Sequence, residues 1–217
     1  MILFWLVLGC EDITPSVSDA SRKTIILPDT TGNKRAQVEH DIYSTNKKIT
    51  TQLSLSDISV NKDSLEIRFW VAPALYGPIQ LYILKCRDSV WSLTQNLIYL
   101  KTFDPEKDDY RKWDGYKNPF VDSVFIRQLK PVGVSWDNYI DQLKIDSLWT
   151  LKSQSEIDGR FGALDGISYS LEISDRQRYK FVHYNNPYSH TDEDESHRRI
   201  MDFEGKLFYK LNLEGVR

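Results

Sequence analysis

The chain has 217 residues, 41% hydrophobic and 27% charged, enough to bury one substantial core and too apolar for a disordered polymer. The formal net charge is -3, and the 28 Lys and Arg form no basic stripe. That excludes broad binding to nucleic acid, which needs clustered cations on the phosphates. Two cysteines, Cys10 and Cys86, are too few for a disulfide-stapled scaffold.

Met1 to Gly9 reads Met-Ile-Leu-Phe-Trp-Leu-Val-Leu-Gly, apolar or small throughout, and Cys10 follows at once. A bilayer-spanning helix needs about 20 apolar residues. The shorter run fits the apolar region of a secretory signal. Val7-Leu8-Gly9-Cys10 resembles the lipobox of bacterial lipoproteins, with an aliphatic residue three before the Cys and a small one just before it. The resemblance implies cleavage before Cys10, lipidation of its sulfur and new amino group, and anchoring to the outer membrane of a bacterial cell envelope. It leaves open whether the protein faces the surface or the periplasm. Glu11-Asp12 is similar to an acidic surface-display signal of some Gram-negative lineages.

The stretch from Cys10 to residue 24 is small, polar and Pro-containing, and reads as a flexible tether. The expected organisation is therefore signal peptide 1–9, tether 10–24 and one globular domain 25–217, with the neighbourhood of residue 132 as the alternative place to divide it. Thr51 to Leu55 reads as an early strand. From Ser64 the pattern alternates, with Leu65, Ile67, Phe69 and Val71 on one side and Glu66, Arg68 and Trp70 on the other, the mark of a half-buried strand. Ile79–Leu84, Val90–Thr94 and Leu97–Leu100 are short β-branched and aromatic runs, read as successive strands of an antiparallel meander. Cys86, at the end of the first of these, reads as a buried inert thiol.

A polar loop from Asp104 to Pro119 interrupts the meander, and strand character returns over Phe120–Leu129. Ser135 is an expected N-cap for a short helix near 135–144, with Trp136, Tyr139, Ile140 and Leu143 at helical spacing. Ser147–Lys152 reads as strand. Ile167–Ile173 and Tyr179–Tyr184 form the clearest hairpin, and a C-terminal amphipathic helix is expected near 191–212, with acids first and lysines last. The fold class predicted is α+β, built mainly on an antiparallel β-sheet.

The sequence carries no Gly-x-Ser-x-Gly, His-Glu-x-x-His, Ser-x-x-Lys or phosphate loop, and no cofactor is implied. His190, Glu193 and His197 lie close enough in sequence to share a metal, although the acids there are explained by helix-start electrostatics. Tyr110, Trp113 and Tyr116 recur every third residue in the polar loop, where rings can stack on sugars or anchor a protein. The expected function is a lipid-anchored, non-catalytic envelope protein that binds a protein or glycan. A periplasmic immunity or inhibitor protein and a hydrolase without a known motif are the alternatives.

Overall fold

The computed structural model describes residues 23–60, 63–74, 77–104, 106–109, 114–115, 118–159 and 166–211. Its strands are β1 (Thr24–Ile26), β2 (Leu65–Pro73), β3 (Ile79–Arg87), β4 (Val90–Leu100), β5 (Val121–Leu129), β6 (Ile167–Asp175) and β7 (Arg178–Asn185). The helices are α1 (Lys34–Gln52), α2 (Trp136–Leu143) and α3 (Glu195–Phe208). All seven strands join one sheet in the order β1-β7-β6-β2-β3-β4-β5, antiparallel throughout except for β1, which runs parallel to β7. The fold is the α+β arrangement that the sequence predicts. Because β6 pairs along the whole of β2, the sheet is shared by segments on both sides of residue 132.

One face of the sheet is apolar. Ile67 and Phe69 of β2, Leu84 of β3, Leu171 and Ile173 of β6 and Val182 of β7 are buried under Tyr139 and Leu143 of α2 and Ile200, Phe203 and Leu207 of α3. Phe203 meets Phe69 edge-on at 5.4 Å between ring centres, and the Tyr139 hydroxyl donates to the Leu207 carbonyl, joining the two helices. Ser135 caps α2 as expected, accepting from the Asn138 backbone N–H. Asp194 caps α3 through the Ser196 N–H, so this helix opens at Glu195, four residues later than the sequence suggests. The chain before it is held instead by a 3-10 turn, Pro187–His190, entered through Asn186 in the left-handed region at φ +50°.

The opposite face is covered by α1, which the sequence reading missed. Thr51 and Gln52 close that helix and Leu53 is its C-cap, so the strand expected over Thr51–Leu55 is a helix end and a turn. The buried side of α1 is Ala36, Glu39, Asn46, Ile49 and Thr50, three of them polar, which hides its helical period from a search for apolar stripes. β2 is buried on both faces rather than one, because Ile49 of α1 packs with Trp70 and the segment that follows α1 reaches Arg68 through the Ser56 carbonyl. Two further expectations change. Val90–Thr94 and Leu97–Leu100 are one strand, joined by Gln95 and Asn96, whose amides are buried but bonded to Gln80, Tyr82 and the Leu81 carbonyl. Ser147–Lys152 is mostly a 3-10 turn, Ile145–Thr150, because Lys144 takes a left-handed φ of +50° and swings the chain out of α2.

Candidate functional site

Cys10, Tyr110, Trp113 and Tyr116 lie outside the described residues. At the base of the loop that carries the three rings, Lys101, Asp114, Gly115, Asn118 and Phe120 line a recess of about 380 Å³. Cys86 is a buried thiol, as expected. His190 and Glu193 do meet, with Nδ1 3.1 Å from the carboxylate, and the His190 and His197 rings lie 5.5 Å apart. The His197 ring is fully buried against Tyr184, and that burial holds its pKa below the ordinary histidine value. Among the described residues no three His, Cys, Asp or Glu side chains converge as a metal cage.

A serine and a histidine do pair in the sheet. Ser170 and His183 face each other across β6 and β7, with Oγ 3.0 Å from Nδ1. Both are buried, and burial pushes the His183 pKa down to about 4. A base so weak and so enclosed does not suit acyl transfer near neutral pH, where the operating pKa should lie near the pH itself.

An open cleft of about 580 Å³ lies where the start of β2, the start of β4, α2 and the 145–150 turn come together. Its floor is apolar and aromatic: Leu65, Trp91, Ile140, Ile145 and Trp149. Asp141, Asp146, Asp175 and Arg178 stand around it. The turn bearing Trp149 is clamped from two sides. Lys180 Nζ, itself buried, donates to the Trp149 carbonyl at 2.9 Å, and the Arg199 guanidinium of α3 bonds the Ser147 carbonyl and the Thr150 hydroxyl. A side chain on a turn fixed in this way keeps its position without a ligand.

Arg178 lies over the Trp149 indole, 4.0 Å from the ring centre, and donates through Nε and a terminal nitrogen to Asp175 Oδ2 at 3.0 and 2.8 Å. Partial burial works to raise the Asp175 pKa. The Arg178 bond and the Gln177 and Arg178 backbone N–H groups outweigh it and hold the carboxyl below the usual range. The arrangement offers two half-buried indoles and an oriented acid–guanidinium pair at one rim, a surface suited to binding flat apolar faces edged with hydroxyls.

The sequence did not point to this cleft. Trp91 sits in one predicted strand and Trp149 in a segment mistaken for another, and only the sheet and the α2 exit bring them together. No known protein family, curated protein or solved structure matches the chain. No helix among the described residues is long and apolar enough to cross a membrane.

Proposed function

We propose that this protein is a lipid-anchored, non-catalytic component of a bacterial cell envelope whose folded region binds a glycan in the Trp91–Trp149 cleft. The cleft carries the reading: indoles give stacking area for a sugar face, and Asp141, Asp146 and Asp175 give acceptors for hydroxyls around the ring. The anchor rests on the lipobox-like Val7-Leu8-Gly9-Cys10 alone. Several acyl chains on one Cys give firm attachment, whereas one chain binds a membrane only marginally.

Two experiments test the two halves separately. Membrane fractionation of the full chain and of Cys10→Ala tests the anchor. Wild type in the membrane fraction with the variant released supports it, and identical behaviour of the two refutes it. A panel of envelope oligosaccharides titrated against the full chain tests the cleft. Binding that weakens about tenfold or more in Trp149→Ala and in the rim variant Asp146→Asn supports the glycan reading. Failure of every sugar in the panel refutes it, as does binding that neither variant affects.

A further inference from the structure

We propose that the outer edge of β5 is a dimer interface, where two copies of this chain join their sheets antiparallel about a two-fold axis through Ile126. β5 ends the strand order, and among the described residues no strand pairs its outer side. Natural edge strands are usually kept short or interrupted by charge or proline, because an open row of N–H and C=O groups recruits other strands. β5 runs nine residues; a register break leaves Asp122 as an extra residue near its start and Arg127 is its other charge, but Ser123-Val124-Phe125-Ile126 between them is regular and uncharged. Phe125 and Ile126 point to opposite faces and are 64% and 62% exposed. On one face Tyr99 packs edge-on against Phe125 at 6.0 Å. On the other, Leu53, Phe120, Val121, Val124 and Ile126 line an open groove of about 630 Å³ beside the end of α1.

Charge selects a second copy as the occupant. A two-fold axis perpendicular to the sheet keeps every side chain on its own face, so only registers centred on a residue are allowed. Centred on Ile126, Asp122 at the register break comes opposite the partner's Lys130, the first residue past β5, and symmetry makes the pair twice. Both residues are exposed in the single chain, and Asp122 lines the same groove as Ile126. The same register sets Ile126 against its own copy and Phe125 beside the partner's Arg127, within reach of a cation–π contact. Centring on Phe125 would set Asp122 against a glutamine, and centring on Val124 would set it against an isoleucine, so neither pairs the charges. No residue of β5 lines the Trp91–Trp149 cleft, so the interface does not rest on what fills it.

The test is a charge exchange read by sedimentation equilibrium of the full chain in density-matched detergent. Wild type is expected to dimerise at micromolar concentration. Asp122→Lys and Lys130→Asp should each weaken the dimer about tenfold, because two attractive pairs become two repulsive ones. The double variant D122K/K130D should recover most of that loss, which a general effect on folding would not do. In oxidised intact cells Ile126→Cys should yield a disulfide-linked dimer, whereas Gln128→Cys, opposite the partner's Val124, should not. A wild type that stays monomeric overturns the proposal and leaves the edge to a strand of a different protein. Single variants that dimerise like wild type, a double variant no better than the singles, or equal crosslinking at the two positions overturn it as well.

Discussion

On the α2/α3 face of the sheet the buried side chains are almost all hydrocarbon or aromatic, while on the face of α1 and the segment after it the same strands bury Glu66, Arg68, Glu172 and His183 beside Trp70, Tyr179 and Phe181. The charged groups on that side are paired with one another or with backbone carbonyls. Arg68 Nε donates to Glu66 Oε1 at 2.8 Å and its terminal nitrogen to the Ser56 carbonyl at 2.6 Å. Lys85 bridges Glu66 and Asp63 at 3.0 and 2.9 Å, and Arg87 adds a second bond to Asp63. Glu172 takes hydrogen bonds from the Trp70 indole and the Tyr179 hydroxyl at 2.8 and 2.9 Å. Even so, burial raises its pKa above the usual glutamate value. Glu39 of α1 accepts from Ser153 and from both the hydroxyl and N–H of Ser155. The difference teaches that one sheet can be held by volume on one side and by pairing on the other. Volume is non-directional and indifferent to pH, whereas pairing fails when a single partner goes.

The largest expected effect tests the apolar side. Phe203→Ala should cost about 4 kcal/mol in urea unfolding, by lost transfer energy and the cavity left against Phe69, and the loss should be the same at pH 5 and pH 8. A loss that varied with pH would blur the contrast between the faces. Next, Arg68→Met should cost about 3 kcal/mol, because Glu66 keeps its burial and loses its nearest cation. The double variant E66L/R68M should recover at least half of that, since two apolar groups need no partner. If the double is as unstable as the single, the pair is itself a net source of stability and the account of the α1 face is wrong.

A comparable effect comes from His183. Its folded pKa of about 4 lies below the ordinary 6.5, so the unfolded chain binds the extra proton between those values. Its contribution is complete above pH 6.5 and is lost as the pH falls toward 4, amounting to about 3 kcal/mol. Glu172 acts in the opposite sense. Its raised pKa makes stability fall as the pH climbs above its ordinary 4.5, so Glu172→Gln should flatten the curve on the alkaline side. Unfolding titrations of His183→Gln that keep the wild-type acid slope would remove the histidine from the explanation. The smallest effect returns to the apolar side. Ser135→Ala removes only the cap on α2 and should cost about 1 kcal/mol, visible as a small shift in urea midpoint.

The face that relies on volume was legible in the sequence, and the face that relies on pairing was not. β2, the β6–β7 hairpin, α2 and α3 all carry their apolar residues at a regular period, and a period can be counted. The buried side of α1 includes the polar residues Glu39, Asn46 and Thr50, and the partners of Glu39 lie more than 110 residues away, at Ser153 and Ser155. Nothing local marks them as interior. Gln95 and Asn96 split β4 in the reading for the same reason, since buried amides look like a break until their acceptors are known. Trp91 and Trp149 were each visible as aromatic residues, but their meeting depends on the left-handed turn at Lys144, a conformation that the residue type does not advertise.

The parallel pairing of β1 with β7 sets an order of events for a newly made chain. Thr24, Ile25 and Ile26 pair with Arg178, Tyr179 and Lys180, which lie 154 residues further along the chain. β2 likewise waits for β6. Closing loops of that length before any contact repays the lost entropy makes for slow folding. The sheet therefore cannot gain β1 until residues 178–180 have been made, and β1 docks only after the β6–β7 hairpin exists.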